Sequence, residues 1–269
     1  MYSEMIGGER VRKIIVTSCK GGVGKSTVCV GIAAALANLG KRVLLIDFDL
    51  GNRSLDLMLG LEDAVLYDIC DLALDRVGAD SALLIHPQFP NLAFIGAPFR
   101  YEGGLTKENF GHALSLLEET RDFDFILIDT SGGAHESVAL SAPFCETGLI
   151  VSSQNPTSIR AAEKSGLILD EFGVKEQRLI INGFDMQKES LGKRAGVIEM
   201  IDRTHTPLCG IIPLDARLTL LSEQGRTAFD GGKTNARRAF ENIAGRLCGE
   251  NIPLLTGFSG IRRKQFLYS

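Results

Sequence analysis

No two cysteines are spaced as C-x-x-C, and no apolar run is long enough to span a bilayer. The six cysteines (Cys19, Cys29, Cys70, Cys145, Cys209 and Cys248) are scattered. That scatter excludes a clustered iron–sulfur site and reads as reduced thiols that mostly fill a core. Charge of one sign is also scarce. The chain has 29 Lys and Arg against 33 Asp and Glu, for a net charge of -4. A nucleic acid gripped by the whole domain is therefore not expected. The candidates for a local basic patch, Lys233, Arg237 and Arg238, are few. Residues 1–12 are polar and charged and do not form a signal peptide. There is no linker, internal repeat or low-complexity stretch.

What remains is a chain of 269 residues, 45% hydrophobic, enough for one large α/β domain with a buried core. Short β-branched and aliphatic runs alternate with helical periodicity. Strands are expected at 14–17, 43–46, 92–95, 123–129, 147–152, 178–181 and 208–212. Helices are expected at about 26–38, 106–120, 158–172, 191–201, 215–224 and 235–248, with Ser158 or Thr157 capping the third. Residues 61–86 show only short helical patterns, with Tyr67, Ile69 and Leu72 packing inward. This alternation predicts a single doubly wound, mostly parallel sheet flanked by helices.

The first strand runs into Ser-Cys-Lys-Gly-Gly-Val-Gly and then a helix opening on Lys25-Ser26-Thr27. Strand, glycine loop and helix together make a phosphate site. Gly21, Gly22 and Gly24 let the backbone turn tightly, so that the N–H groups around Val23 aim at an anion. The helix N-terminus adds partial positive charge. Lys25 can reach the β- and γ-phosphates, and the Ser26 hydroxyl can ligate Mg²⁺. Asp47 and Asp49 follow the second strand, and Asp129 ends the Phe-Asp-Phe-Ile-Leu-Ile-Asp run. Carboxylates at strand ends beside a phosphate loop suit a hydrated divalent cation.

The string Lys20-Gly-Gly-Val-Gly-Lys-Ser-Thr27 resembles the deviant Walker A motif of the MinD/ParA family of ATPases. Cys19 stands where an ordinary P-loop has glycine, and the extra lysine, Lys20, is that family's signature. Residues 47–60 (D-F-D-L-G-N-R-S-L-D-L-M-L-G) resemble the family's switch I. The resemblance implies a P-loop domain over 1–250 and a tail over 251–269. It implies that Lys20 reaches the partner's phosphates in trans, that Asp49 positions the attacking water, and that Asp47 and Asp129 hold the hydration shell of Mg²⁺ beside Ser26. Gly133 matches the glycine that senses the γ-phosphate. Before it stand Ser131 and Gly132, where relatives usually carry proline and alanine. Asn182 matches the adenine-reading asparagine, followed by Gly183 where relatives commonly have arginine. Pro213 and Asp215 match the adenine-flanking loop.

The activity so implied is hydrolysis of ATP to ADP and phosphate, with ATP and Mg²⁺ bound and an ATP-dependent homodimer. The implied role is spatial regulation of division-site selection. The protein would be cytoplasmic and peripheral on the membrane, with protein partners that are recruited or that stimulate hydrolysis. Two other outputs fit the same motifs: a flagellar-number or ParA-type positioning ATPase, and a nucleotide-gated adaptor with little turnover. The tail carries Phe258, Ile261, Phe266, Leu267 and Tyr268 beside the basic Arg262-Arg263-Lys264. It reads as an amphipathic contact with anionic lipid, or as a segment that packs on the domain or stays disordered.

Overall fold

The computed structural model describes residues 11–133 and 135–254. The expected membrane-contacting tail, from residue 255 onward, lies outside the described residues, as do residues 1–10. In chain order come β1 (Arg12–Thr17), α1 (Lys25–Asn38), β2 (Val43–Phe48), α2 (Leu55–Leu59), α3 (Ile69–Ala73) and α4 (Ala79–Ala82). A short β3 (Leu84–Ile85) precedes β4 (Leu92–Ile95), α5 (Lys107–Thr120), β5 (Phe125–Thr130), α6 (His135–Ser141) and β6 (Thr147–Ser152). Then follow α7 (Pro156–Glu171), β7 (Glu176–Phe184), α8 (Met186–Ser190), α9 (Val197–Thr204), β8 (Leu208–Pro213), α10 (Ala216–Glu223) and α11 (Asn235–Leu247).

The strands of the described residues form one sheet in the order β3-β4-β2-β5-β1-β6-β7-β8. Every pairing is parallel except that of β3 with β4. β2, β5 and β6 are buried along their whole length, and β1 from Ile14 onward, as a parallel sheet covered on both faces requires. One face packs against α3, α5 and α7 through Phe48, Phe110 and Leu169. The other packs against α1 and α11 through Ile32, Leu36 and Phe240. A Cβ on Gly31 would lie 2.4 Å from the Phe240 ring, so glycine sets how closely α1 and α11 approach.

Three expectations need correction. The cap of α7 is Asn155, whose side chain accepts from the Ser158 N–H, so neither Thr157 nor Ser158 is the cap. Pro156 takes the first helical position, where its missing N–H costs nothing. The helix expected over 191–201 begins only at Val197, as α9; residues 191–196 are not helical, and the short α8 ends before them at Ser190. Gly192, in the left-handed region at φ 67°, and Gly196 break the run between the two helices. Tyr67 is exposed, whereas Ile69 and Leu72 are fully buried.

Candidate active site

The order β2-β5-β1 sets the site. β1 carries the glycine loop, and β5 beside it and β2 beyond β5 deliver acids to the same carboxyl edge. Asp47 and Asp129 are register partners across the β2–β5 ladder, and Asp129 is also paired with Val16 of β1. Two buried carboxylates therefore stand on neighbouring strands, directly at the mouth of the loop.

Gly22 and Gly24 hold φ 75° and 81°, left-handed conformations that a side chain disfavours. Gly24 is the N-cap residue of α1, with no side-chain cap. The first amides of the helix are thus left free to face an anion. The Lys25 ammonium donates to Asp129 Oδ1 at 2.8 Å, and both side chains are buried. Burial pulls the Lys25 pKa down, but Asp129 outweighs it, so the lysine stays charged. Asp129 Oδ2 is buried with no hydrogen-bond partner. An unpartnered buried carboxylate oxygen is costly unless a ligand uses it.

Asp47 is fully buried and is held at its other side by backbone. Its Oδ1 accepts from the Asp49 N–H at 3.1 Å, and its Oδ2 from the Ser54 and Leu55 N–H groups at 3.0 Å each. Burial first, and then the Asp129 carboxylate, push its pKa up to about 7, against the pull of those three amides. Asp47 thereby fastens the start of α2, and with it switch I, to the sheet. Asp49 is half-buried and takes only a long contact, 3.4 Å, from the Asn52 side chain. Ser26 opens the second position of α1 beside Asp129.

The residues expected to flank the adenine also converge. Asn182 Nδ2 donates to the Val23 carbonyl at 2.8 Å. The register of β7 against β8 slips between Ile181 and Phe184. Gly183, at φ 65°, sits in that irregularity. Such a slip re-aims a side chain, here from the sheet towards the glycine loop. Asn182, Pro213 and Asp215 line one cleft of 490 Å³ with Gly22, Gly24 and Thr27. Asp215 also caps α10, accepting from the Arg217 N–H at 2.9 Å. Sequence reasoning missed Met58, Leu218 and Thr219, which line the same cleft from α2 and α10. No spacing in the sequence brings those two helices together.

Two residues are engaged elsewhere. Lys20 Nζ donates to Thr157 Oγ1 at 2.6 Å and Asn155 Oδ1 at 3.1 Å, at the start of α7. The Gly133 N–H donates to the Ser18 carbonyl at 3.1 Å. Gly132 lies on the loop itself: a Cβ there would sit 3.0 Å from the Gly21 Cα. Cys19 packs against α7, its N–H donating to Ser165 Oγ at 2.9 Å.

The family described as the CobQ/CobB/MinD/ParA nucleotide binding domain matches residues 14–228. The chain belongs to this family. The septum site-determining protein MinD of Synechocystis is 34% identical over 247 residues, covering 91% of this chain and 92% of that protein. The MinD of Bacillus subtilis is 30% identical, covering 90% of each. Among solved structures, a MinC:MinD cell division protein complex from Aquifex aeolicus matches at 31% identity. Its TM-score is 0.85, and the match covers 91% of this chain and 98% of that one. The chain is a MinD-like, nucleotide-binding ATPase, and the single mostly parallel sheet is that of the family.

Proposed function

We propose that this chain is a Mg²⁺-dependent ATPase that dimerises on ATP and positions division-site regulators at an anionic membrane surface. One observation carries the reading. Beneath a loop of left-handed glycines, the buried Lys25–Asp129 pair leaves Asp129 Oδ2 unpartnered at the carboxyl edge of the sheet.

The residues fit the cation. Among the described residues no three His, Cys, Asp or Glu side chains form a metal cage. Mg²⁺ is ordinarily held by one or two carboxylates, a hydroxyl, water and the phosphates themselves. Ser26, Asp47 and Asp129 supply that set of hard oxygens. When bound, Mg²⁺ neutralises charge on the β- and γ-phosphates.

The remaining roles belong to the chain. The amides of 21–27 and Lys25 hold the phosphates. Asp49, half-exposed at the end of β2, orients the attacking water. Asn182, Pro213 and Asp215 receive the adenine. Lys20 stabilises the transition state in the partner protomer, as a finger in trans does. It first has to leave Thr157 and Asn155. The Gly133 amide turns from the Ser18 carbonyl to the γ-phosphate. The domain is assigned 1–250 and the tail 251–269, with the tail lying on lipid. The protein is cytoplasmic and peripheral on the membrane.

A second reading has its own observation. Residues 130–133, which match the family's switch II position, are docked on the glycine loop through Gly132 and Gly133. If that docking survives ATP, the chain is a nucleotide-gated adaptor with little turnover. Phosphate release and sedimentation with anionic vesicles, each with ATP and with ADP, test both. Turnover with ATP-dependent vesicle binding supports the ATPase reading. Binding of ATP without phosphate release supports the adaptor.

A further inference from the structure

Beyond the nucleotide site, one half-buried cation is held by backbone carbonyls. Arg246 lies in the last turn of α11 and is half-buried. Its guanidinium donates to three carbonyls: Nη1 to Cys209 at 2.9 Å, Nε to Ile252 at 2.8 Å and Nη2 to Pro253 at 2.8 Å. Cys209 belongs to β8, the outer strand of the sheet, and Ile252 and Pro253 belong to the segment leading to the tail. The planar fork therefore ties the outgoing chain to the sheet.

The segment is seated by more than this side chain. Gly249, at φ 87°, turns the chain after α11, and the Glu250 N–H donates back to the Gly245 carbonyl at 2.9 Å. Ile252 then lies over Gly245, where an added Cβ would meet its Cδ1 at 2.4 Å. Any larger residue at 245 would lift Ile252 and draw its carbonyl off the guanidinium. Helix cap, glycine seat and arginine fork all fix the chain up to Pro253 in one direction.

We propose that Arg246 is a positioning residue for membrane association. It fixes where the tail leaves the domain, so that two tails in an ATP dimer meet one surface together. This rests on the tail reading given above. A second tail binds with an effective concentration that falls roughly as the -3/2 power of the tether length. With the fork intact, the tether to the first aromatic residue of the tail, Phe258, spans 253–258. Without it, and with the Glu250 bond and the Ile252 seat opening in its absence, the tether starts at the end of α11 and spans 247–258. Two-tail affinity should then fall roughly threefold.

The test uses the full chain with ATP, vesicles rich in anionic lipid, and Arg246→Met, which keeps the apolar stem. The variant should bind vesicles roughly threefold more weakly, with unchanged phosphate release and unchanged ATP-driven dimerisation. Its Glu250 and Ile252 amides should exchange hydrogen faster. A flexible insertion after Leu254 in the wild-type chain should weaken vesicle binding without changing that exchange. Vesicle binding by Arg246→Met equal to wild type, or unchanged exchange at 250 and 252, would overturn the proposal. A wild-type chain that binds no vesicles would remove the tail reading itself. Faster exchange in the variant would then mark Arg246 as structural only, and so overturn its role in membrane association too.

Discussion

The Asn182 carboxamide donates to the Val23 carbonyl at 2.8 Å, which ties the irregular end of β7 to the apex of the glycine loop. One residue thus touches both the phosphate cradle and the base-side cleft. Loop and cleft are fixed relative to each other before nucleotide arrives. Asn182→Ala removes that tie and the proposed adenine-edge contact together. We expect ATP affinity to fall about tenfold, the effect of losing one to two hydrogen bonds. Preference for ATP over GTP should fall with it. Titration with fluorescent ATP and GTP analogues measures both. An unchanged ATP preference would show that Asn182 braces the loop without reading the base.

The second expectation concerns the buried pair. Lys25→Ala leaves Asp129 as a fully buried carboxylate with no cation. Breaking a buried pair from one side costs about 3–5 kcal/mol, unless the remaining group takes up a proton. Nucleotide binding should be lost. The nucleotide-free protein should also melt at a lower temperature, more so at pH 8 than at pH 5. Adding Asp129→Asn to Lys25→Ala should restore much of the melting temperature without restoring binding. If the double variant is no more stable than Lys25→Ala, the pair is not the source of the strain.

A third expectation follows from His86, which is buried beside α2. Its Nδ1 accepts from the Gln88 and Phe89 N–H groups at 3.1 and 3.3 Å, which leaves Nε2 to donate to the Leu59 carbonyl at 3.2 Å. Burial lowers its pKa below the usual 6.5, against the opposing pulls of the Leu59 carbonyl and Asp230. The unfolded chain therefore takes up the proton first. The stability that neutral His86 contributes is fully present above 6.5 and is lost as pH falls from there towards the lower folded value. The slope approaches about 1.4 kcal/mol per pH unit within that window. Urea melts between pH 7.5 and 5 should show wild type losing stability faster than His86→Asn. Parallel slopes would mean that His86 takes up its proton as readily in the fold as in the unfolded chain, and would overturn the burial effect.

Much of the fold and of the site can be read before any coordinates. Buried parallel strands leave continuous aliphatic runs, and Lys20 to Thr27 is a local string whose geometry follows from its own glycines. Asp47 and Asp129 were legible as acids at strand ends. That they are register partners depends on the strand order, which no local pattern records. The α7 cap was missed because Asn155, Thr157 and Ser158 all suit a cap; Pro156 decides between them by taking the first helical position. The antiparallel β3 is two residues long, too short to show a period. The Arg246 fork joins the Cys209 carbonyl to those of Ile252 and Pro253, far from it in sequence, and carbonyls carry no sequence signal at all.

The last expectation separates binding, chemistry and assembly. Asp49 is half-exposed; its backbone N–H donates to Asp47 Oδ1 at 3.1 Å, and its side chain accepts a long bond from Asn52 at 3.4 Å rather than holding the loop. Asp49→Ala should therefore bind ATP and dimerise while phosphate release falls by about 10²-fold, the usual cost of losing a group that orients a reactant. Lys20 is different, since its ammonium already spends two hydrogen bonds on Thr157 and Asn155 within its own chain. A cation at the start of α7 faces the positive end of that helix, so leaving for a polyphosphate is downhill. Lys20→Ala should bind nucleotide normally, because the phosphates of its own site are held by Lys25 and the loop amides. It should lose both ATP-driven dimerisation and hydrolysis. Mixing it with Asp49→Ala gives the decisive measurement, light scattering with phosphate release on equimolar chains. In the mixed dimer the intact Lys20 reaches the site that keeps Asp49, so a fraction of the wild-type turnover returns. No recovery at any mixing ratio, with mixed dimers present, would place Lys20 in cis.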